Sequence, residues 1–169
     1  LATKPHGVES VCNELRKIFE KETFLPAIIS IVAGYRVDQL ANLIHPKCRV
    51  VRVMPNLPAV VQQGITAVFS KDALLAKSVA DLFKAVGETI ISDSEAELDV
   101  VTGLSGSGPA FVALFIEALA DGGVKMGLTR EKAYTLALQT VTGTGALLKS
   151  TGLHPADLRD RVASAGGTS

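Results

Sequence analysis

The decapeptide TGLSGSGPAF, Thr102 to Phe111, sets three hydroxyl side chains among three glycines between two apolar runs. Such a stretch can cradle a phosphate, because glycine lets successive backbone N–H groups face one anion. A dinucleotide-binding turn needs G-x-G-x-x-G or G-x-G-x-x-A between a strand and a helix. Gly106 and Gly108 supply G-x-G, but Phe111 takes the third position and a helical pattern precedes them. Gly143 and Gly145 form a second G-x-G inside a helical pattern, with Leu148 third. The Gly-Lys-Ser/Thr ending of a P-loop does not occur. The residues therefore argue against a phosphate cradle and for a loop that opens a helix. Ser107 is the expected N-cap, Gly108 permits the turn and Pro109 suits the first helical turn. The hydroxyls of Thr102, Ser105 and Ser107 are left without a role by that reading.

Other reactive groups are few. His6, His45 and His154 each adjoin a proline, and no pair has metal-ligand spacing, so no metal site is expected. Cys12 and Cys48 match neither zinc nor redox spacing and read as reduced, buried thiols of a cytoplasmic protein.

The elements that must position these groups follow from periodicity. Apolar residues at Val8, Val11, Cys12, Leu15, Ile18 and Phe19 have helical spacing over 7–22. AIISIVAG, at 27–34, is a continuous β-branched run of the kind buried in a parallel sheet. A short helix is expected over 37–44, strands over 49–54 and 65–70, a helix over 73–86 capped by Asp72, and a strand over 88–92. This alternation indicates an α/β unit with a mostly parallel sheet. After Ser92 the pattern turns helical, with a short acidic helix over 95–101 and longer helices over 109–125, 129–149 and 155–162. The division is expected near 93–95, giving an α/β portion over 1–93 and an all-helical portion over 94–169. The later helices are rich in Ala, Gly and Thr and lack a clear solvent face, which suits packing against a partner.

Composition narrows the function. Seventeen basic residues balance seventeen acidic ones, aromatics make up 5% and Trp is absent, which disfavours nucleic acid as a partner. No uninterrupted apolar run approaches the roughly 18 residues that span a bilayer, so no membrane association is expected. The first residues, LATKP, read as the end of a strand already under way and the last, ASAGGTS, as a glycine-rich turn cut short. The chain therefore reads as a fragment.

Several segments carry a family resemblance. VTGLSGSGPAF followed by EALADGGVKMGL strongly resembles the helical domain of pyrroline-5-carboxylate reductases. LATKPH, the VAG at 32–34, RVMPNLP and HPADLRDRVASAGGTS resemble further segments of the same family, in its order. The resemblance implies a partial Rossmann-type α/β domain followed by an all-α helical dimerisation domain, in a chain lacking the first βαβ unit and the last helices. It implies NAD(P)H-dependent reduction of the cyclic imine 1-pyrroline-5-carboxylate to L-proline, the last step of proline biosynthesis. NADPH or NADH is the implied cofactor, a cyclic imino acid the substrate, and a homodimer or an assembly of dimers the form.

Site residues follow from that resemblance. Ser164, Gly166, Gly167, Thr168 and Ser169 would bind the substrate carboxylate and ring, the glycines by turning N–H groups towards an anion. Ser169 and Thr102 are the implied catalytic hydroxyls, Ser169 near the imine nitrogen and Thr102 in a hydroxyl and water relay. Lys4, Pro5, Ala33, Gly34, Met54, Pro55 and Asn56 lie at strand ends, where an open α/β sheet binds its cofactor. Asn56 is also readable as a plain turn residue between two prolines. Ala165 stands where the family has Pro, Ser169 where it has Thr, and Leu57 where it has Thr. Two other readings stay open at this point: a non-catalytic dimerisation module, and a β-hydroxyacid dehydrogenase with Lys125 as its lysine.

Overall fold

A computed structural model of the chain describes residues 1–163. They divide into two compact units, the first Leu1–Pro109 and the second beginning at Ala110. The first unit is built on a four-stranded sheet whose spatial order equals its chain order: β1 (Ile28–Ser30), β2 (Val50–Met54), β3 (Gly64–Phe69) and β4 (Gly87–Ile91).

Most of the pairing is parallel, as expected, with one antiparallel seam. β1 and β2 are parallel, and so are β3 and β4, but β2 and β3 are antiparallel, with Val53 opposite Val68. The cause is length. A parallel crossover takes a dozen or more residues, whereas residues 55–63 hold only a single 3₁₀ turn, Leu57–Val61. The other two links carry the crossover helices α2 (Val37–Ile44) and α3 (Ala73–Phe83). Leu1 adds a parallel rung outside β1: its backbone nitrogen donates to the Ile29 carbonyl, and Ile31 N–H donates to the Leu1 carbonyl at 3.1 Å.

Pleating sorts the sheet residues between two cores. Val50, with Val32, packs against helix α1 (Val8–Phe19) and α2, which contribute Val8, Cys12, Phe19, Val37, Leu40 and Ile44. Val51, Val53 and Val68 point the other way, onto Ala76, Val79 and Ala80 of α3. Each fully buried Val, Leu or Ile contributes about 1.5–3 kcal/mol, so the two faces hold the sheet without any cross-link. Asp72 caps α3 as expected, accepting from Leu74 N–H at 3.0 Å and Leu75 N–H at 3.1 Å.

The segment expected to be a loop is helical. Helix α4 (Glu97–Val101) runs into a wide π-type turn at Thr102–Gly106, and α5 (Gly108–Lys125) follows. Ser107 is accordingly not an N-cap: its N–H reaches back five residues to the Thr102 carbonyl at 2.9 Å. None of Gly103, Gly106 and Gly108 has a positive φ, so the glycines do not break the helix. The fully buried Leu98 anchors α4 to the first unit, which is why that unit extends beyond the change of sequence character near 93–95 to Pro109.

In the second unit α5 and α6 (Arg130–Thr151) meet through small side chains, Ala120, Ala133 and Ala137, with Ile116 and Val124 beside them. A Cβ at Gly123 would lie 3.1 Å from the Ala133 Cβ, so the helices approach as closely as a glycine allows. Thr129 caps α6 through Lys132 N–H, and α7 (Pro155–Val162) follows. Large apolar side chains stay exposed on α5, among them Phe111, Leu114 and Phe115. Because the helix is continuous through the π-type turn, Glu97–Lys125 reaches 29 residues with a mean hydropathy of 1.4 over its most apolar window. By length and composition it can cross a bilayer, unlike any uninterrupted apolar run in the sequence.

Candidate functional site

Parallel pairing opens the carboxyl ends of β1 and β2 on one edge of the sheet. The Leu1 rung runs the same way, so residues that follow all three ends emerge together. Lys4, Pro5, Ala33, Gly34, Met54, Pro55 and Asn56 follow these ends. Tyr35 ties two of the segments: its hydroxyl donates to the Pro5 carbonyl at 3.4 Å. Lys4, Pro5, Ala33 and Gly34 are exposed, whereas Met54 is buried. Gly34 has φ +82°, and no atom lies within 4 Å of where its Cβ would stand, so bare backbone faces open space. Asn56 does part of the work of a turn residue. Its Oδ1 accepts the Ile65 N–H at 2.9 Å and fixes the start of β3, leaving the amide NH2 as the uncommitted end.

The hydroxyl-bearing turn lies against this edge, where a Cβ at Gly106 would sit 3.9 Å from Met54 Sδ. All three hydroxyl protons are used inside the helix. Thr102 Oγ1 donates to Leu98 at 2.6 Å, Ser105 Oγ to Val101 at 3.2 Å and Ser107 Oγ to Thr102 at 3.2 Å. A widened helical turn loses ordinary i→i−4 bonds, and these side chains replace some of them. The oxygens keep their lone pairs, so Thr102 can accept a hydrogen bond at the edge while its proton stays on Leu98.

The residue that sequence reasoning passed over is Arg52. It is 2% exposed in the middle of β2. Its Nη1 donates to Glu95 Oε1 at 3.0 Å and its Nη2 to Asp99 Oδ1 at 3.4 Å. The same Glu95 oxygen accepts the Val37 N–H at 2.7 Å, at the start of α2. The signal was present in the sequence. RVVRVM holds one charge inside a run that must be buried, which demands a counter-charge, and Glu95 and Asp99 stand four apart on one helical face.

The histidines serve the backbone or the solvent. His45 Nδ1 accepts Lys47 N–H and His154 Nδ1 accepts Ala156 N–H, both at 3.2 Å, while His6 is exposed in a 3₁₀ turn. No group of three or more metal-ligating side chains occurs among the described residues. Ser164, Gly166, Gly167, Thr168 and Ser169 lie outside the described residues.

The edge suits one end of a dinucleotide better than the other. Bare backbone at Gly34 and the Asn56 amide NH2 fit a flat ring with polar substituents. The α2 N-terminus is not free for pyrophosphate, since the Glu95 carboxylate already holds its first N–H. The pyrophosphate-binding G-x-G-x-x-G/A turn is not among this chain's residues.

Comparison with known proteins extends this geometry. Residues 95–169 match the family described as pyrroline-5-carboxylate reductase dimerisation. A pyrroline-5-carboxylate reductase of Synechocystis is 45% identical over 99% of this chain and 62% of its own length. One from Arabidopsis thaliana is 43% identical over 99% of the chain and 60% of its own length. Among solved structures, a Coxiella burnetii pyrroline-5-carboxylate reductase superposes with a TM-score of 0.88 at 36% identity, covering 99% of this chain and 63% of that one. A Plasmodium falciparum pyrroline carboxylate reductase with NADP bound gives 0.86 at 34% identity, covering 98% and 66%. The chain thus spans about six-tenths of the length of the relatives it matches, and both its sheet and its helices are shared with them. By sequence and by fold, the chain is similar to pyrroline-5-carboxylate reductases.

Proposed function

We propose that this chain forms the larger part of an NAD(P)H-dependent reductase that converts 1-pyrroline-5-carboxylate to L-proline. The observation that carries the reading is convergence. Three segments far apart in sequence, 4–5, 33–34 and 54–56, reach one sheet edge, and the turn bearing Thr102 lies against Met54 there. A structural relative carries NADP. Lys4, Pro5, Ala33, Gly34, Met54, Pro55 and Asn56 would hold the nicotinamide half, with bare backbone at Gly34 admitting the ring.

When bound, the reduced nicotinamide supplies the hydride that the imine carbon takes up. The chain's own residues bind and orient. Ser164, Gly166 and Gly167 would offer a hydroxyl and backbone N–H groups to the substrate carboxylate, with Thr168 as a further substrate-binding residue. The ring nitrogen gains a proton, and Ser169 is the hydroxyl that would pass it. Thr102, whose own proton is held by Leu98, would orient a water through its lone pairs rather than donate directly. A second copy of the chain would cover the apolar faces of α5 and α6, making a homodimer. Two free, buried thiols suit a cytoplasmic location.

The test is NADPH oxidation by the full-length protein with the cyclic imine as substrate. Turnover is expected, and Thr102→Val should lower kcat by about 10- to 100-fold with a smaller change in KM. A folded, dimeric full-length protein without turnover would instead leave a dimerisation module.

A further inference from the structure

Arg52 and Glu95 do more than neutralise each other. Arg52 stands two residues before Met54 and Glu95 seven before Thr102, while Val37, which donates to Glu95, follows Gly34 by three. One carboxylate oxygen therefore joins the 33–36 turn and the end of β2 to the segment that leads to Thr102. We propose that Arg52 and Glu95 are a positioning pair: their contact sets the register of the 33–36 turn, the end of β2 and the Thr102 turn against one another. The inference rests on the reductase reading above.

The geometry favours this over a purely cohesive role. An apolar pair in the same place would join the strand to the turn before α4 with less desolvation cost. A guanidinium is planar, and its two nitrogens reach Glu95 and Asp99 at 3.0 and 3.4 Å, so it fixes direction as well as separation. The side chains of Arg52 and Glu95 are 2% and 17% exposed, so solvent screens the contact little. Asp99 is 60% exposed and acts as the looser arm. The carboxylate at the α2 N-terminus is stabilised further by the helix dipole and takes the first N–H after the exposed turn. That turn is thereby held from its far side, away from any ligand.

The experiment compares full-length wild type with Glu95→Gln, Arg52→Lys and Asp99→Asn. Gln keeps an acceptor for Val37 N–H but removes the charge. Lys keeps the charge but not the fork. For Glu95→Gln the Kd for NADPH, read by fluorescence titration, should rise about tenfold, as the loss of one charge-assisted contact gives. The KM for the imine should move less, and amide exchange at residues 34–37 should quicken in the ligand-free protein. Arg52→Lys should fall between wild type and Glu95→Gln. If Glu95→Gln does not fold, Asp99→Asn takes its place, with an expected rise in Kd of about two- to threefold. A lowered unfolding midpoint with unchanged NADPH Kd and unchanged exchange would make the pair merely structural and overturn the inference. Wild type that binds NADPH but leaves the imine untouched would sink the reductase reading, while the Kd comparison still decides the positioning role. Wild type that binds no NADPH overturns both.

Discussion

Cys12 is fully buried and Cys48 is 7% exposed. Burial pushes both thiols above the ordinary value of 9.0; Arg16 and Arg49 respectively oppose the shift without cancelling it. The native protein therefore holds two neutral thiols at physiological pH. We expect neither to react with a disulfide reagent near neutrality until denaturant is added, and rapid labelling of the native protein would contradict the burial. Linkage gives the sign of the pH effect. Below the ordinary thiol value both states keep their protons and stability is unchanged. As pH climbs past it the unfolded chain releases protons first, so stability falls on the alkaline side. This part of the molecule was legible, because small apolar residues at helical spacing are core whatever their chemistry. Thr102 was half legible. Its hydroxyl was visible in the sequence, but the commitment of its proton to Leu98 depends on the helix continuing, which depends on packing. Arg52 was visible as a charge in an apolar strand, yet its partners lie 43 and 47 residues away, beyond the reach of local pattern.

At the scale of elements, two glycines separate conformational demand from steric demand. Gly87 has φ +148° and faces Gly64 across the parallel β3–β4 pair, where an added Cβ would fall 2.0 Å from the Gly64 carbonyl oxygen. Gly34 has φ +82° but open space around it. Gly87→Ala should cost about 3 kcal/mol or more, combining backbone strain with overpacking. Gly34→Ala should cost about 1–2 kcal/mol, the backbone part alone. Urea unfolding of the two variants tests the contrast, and equal losses would refute it. The helices and strands themselves follow from periodicity, since 3.6- and 2-residue repeats reflect burial directly. The antiparallel β2–β3 seam was also implied by its helix-free connection, although strand–helix alternation elsewhere masked it. The π-type turn could not be read in advance. Glycine, serine and proline mark loops and helix starts alike, and only the fit of Leu98 and Met54 beneath the segment decides for a continuous helix.

For the whole molecule, the exposed apolar faces of the second unit are the dominant unsolved surface. Leu114 is 65% exposed and Phe115 57%. Side chains of that size buried at the centre of an interface often cost 2 kcal/mol or more to remove, about thirtyfold in affinity. On the homodimer proposed above, Phe115→Glu in the full-length protein should therefore shift sedimentation towards monomer. An unchanged dimer constant would place the seam elsewhere. Small residues on several helical faces already pointed to a partner, because a lone helix of that composition has no side for water. The identity of the partner face was not legible, for it depends on which of several apolar stripes the neighbouring helices leave uncovered.

The agreement between strand order and chain order has a kinetic consequence. Among the described residues, each pairing from β1 to β4 is closed between strands adjacent in sequence, so these strands need not wait for a distant segment to arrive. The β2–β3 seam spans the shortest link, residues 55–63, and so loses the least chain entropy on closing. We expect it to form early and to template β1 and β4 on its two flanks. Low contact order of this kind speeds folding and shortens the time for which an unpaired edge is open to other chains. During synthesis, β1 through β3 can associate while the long helices are still being made.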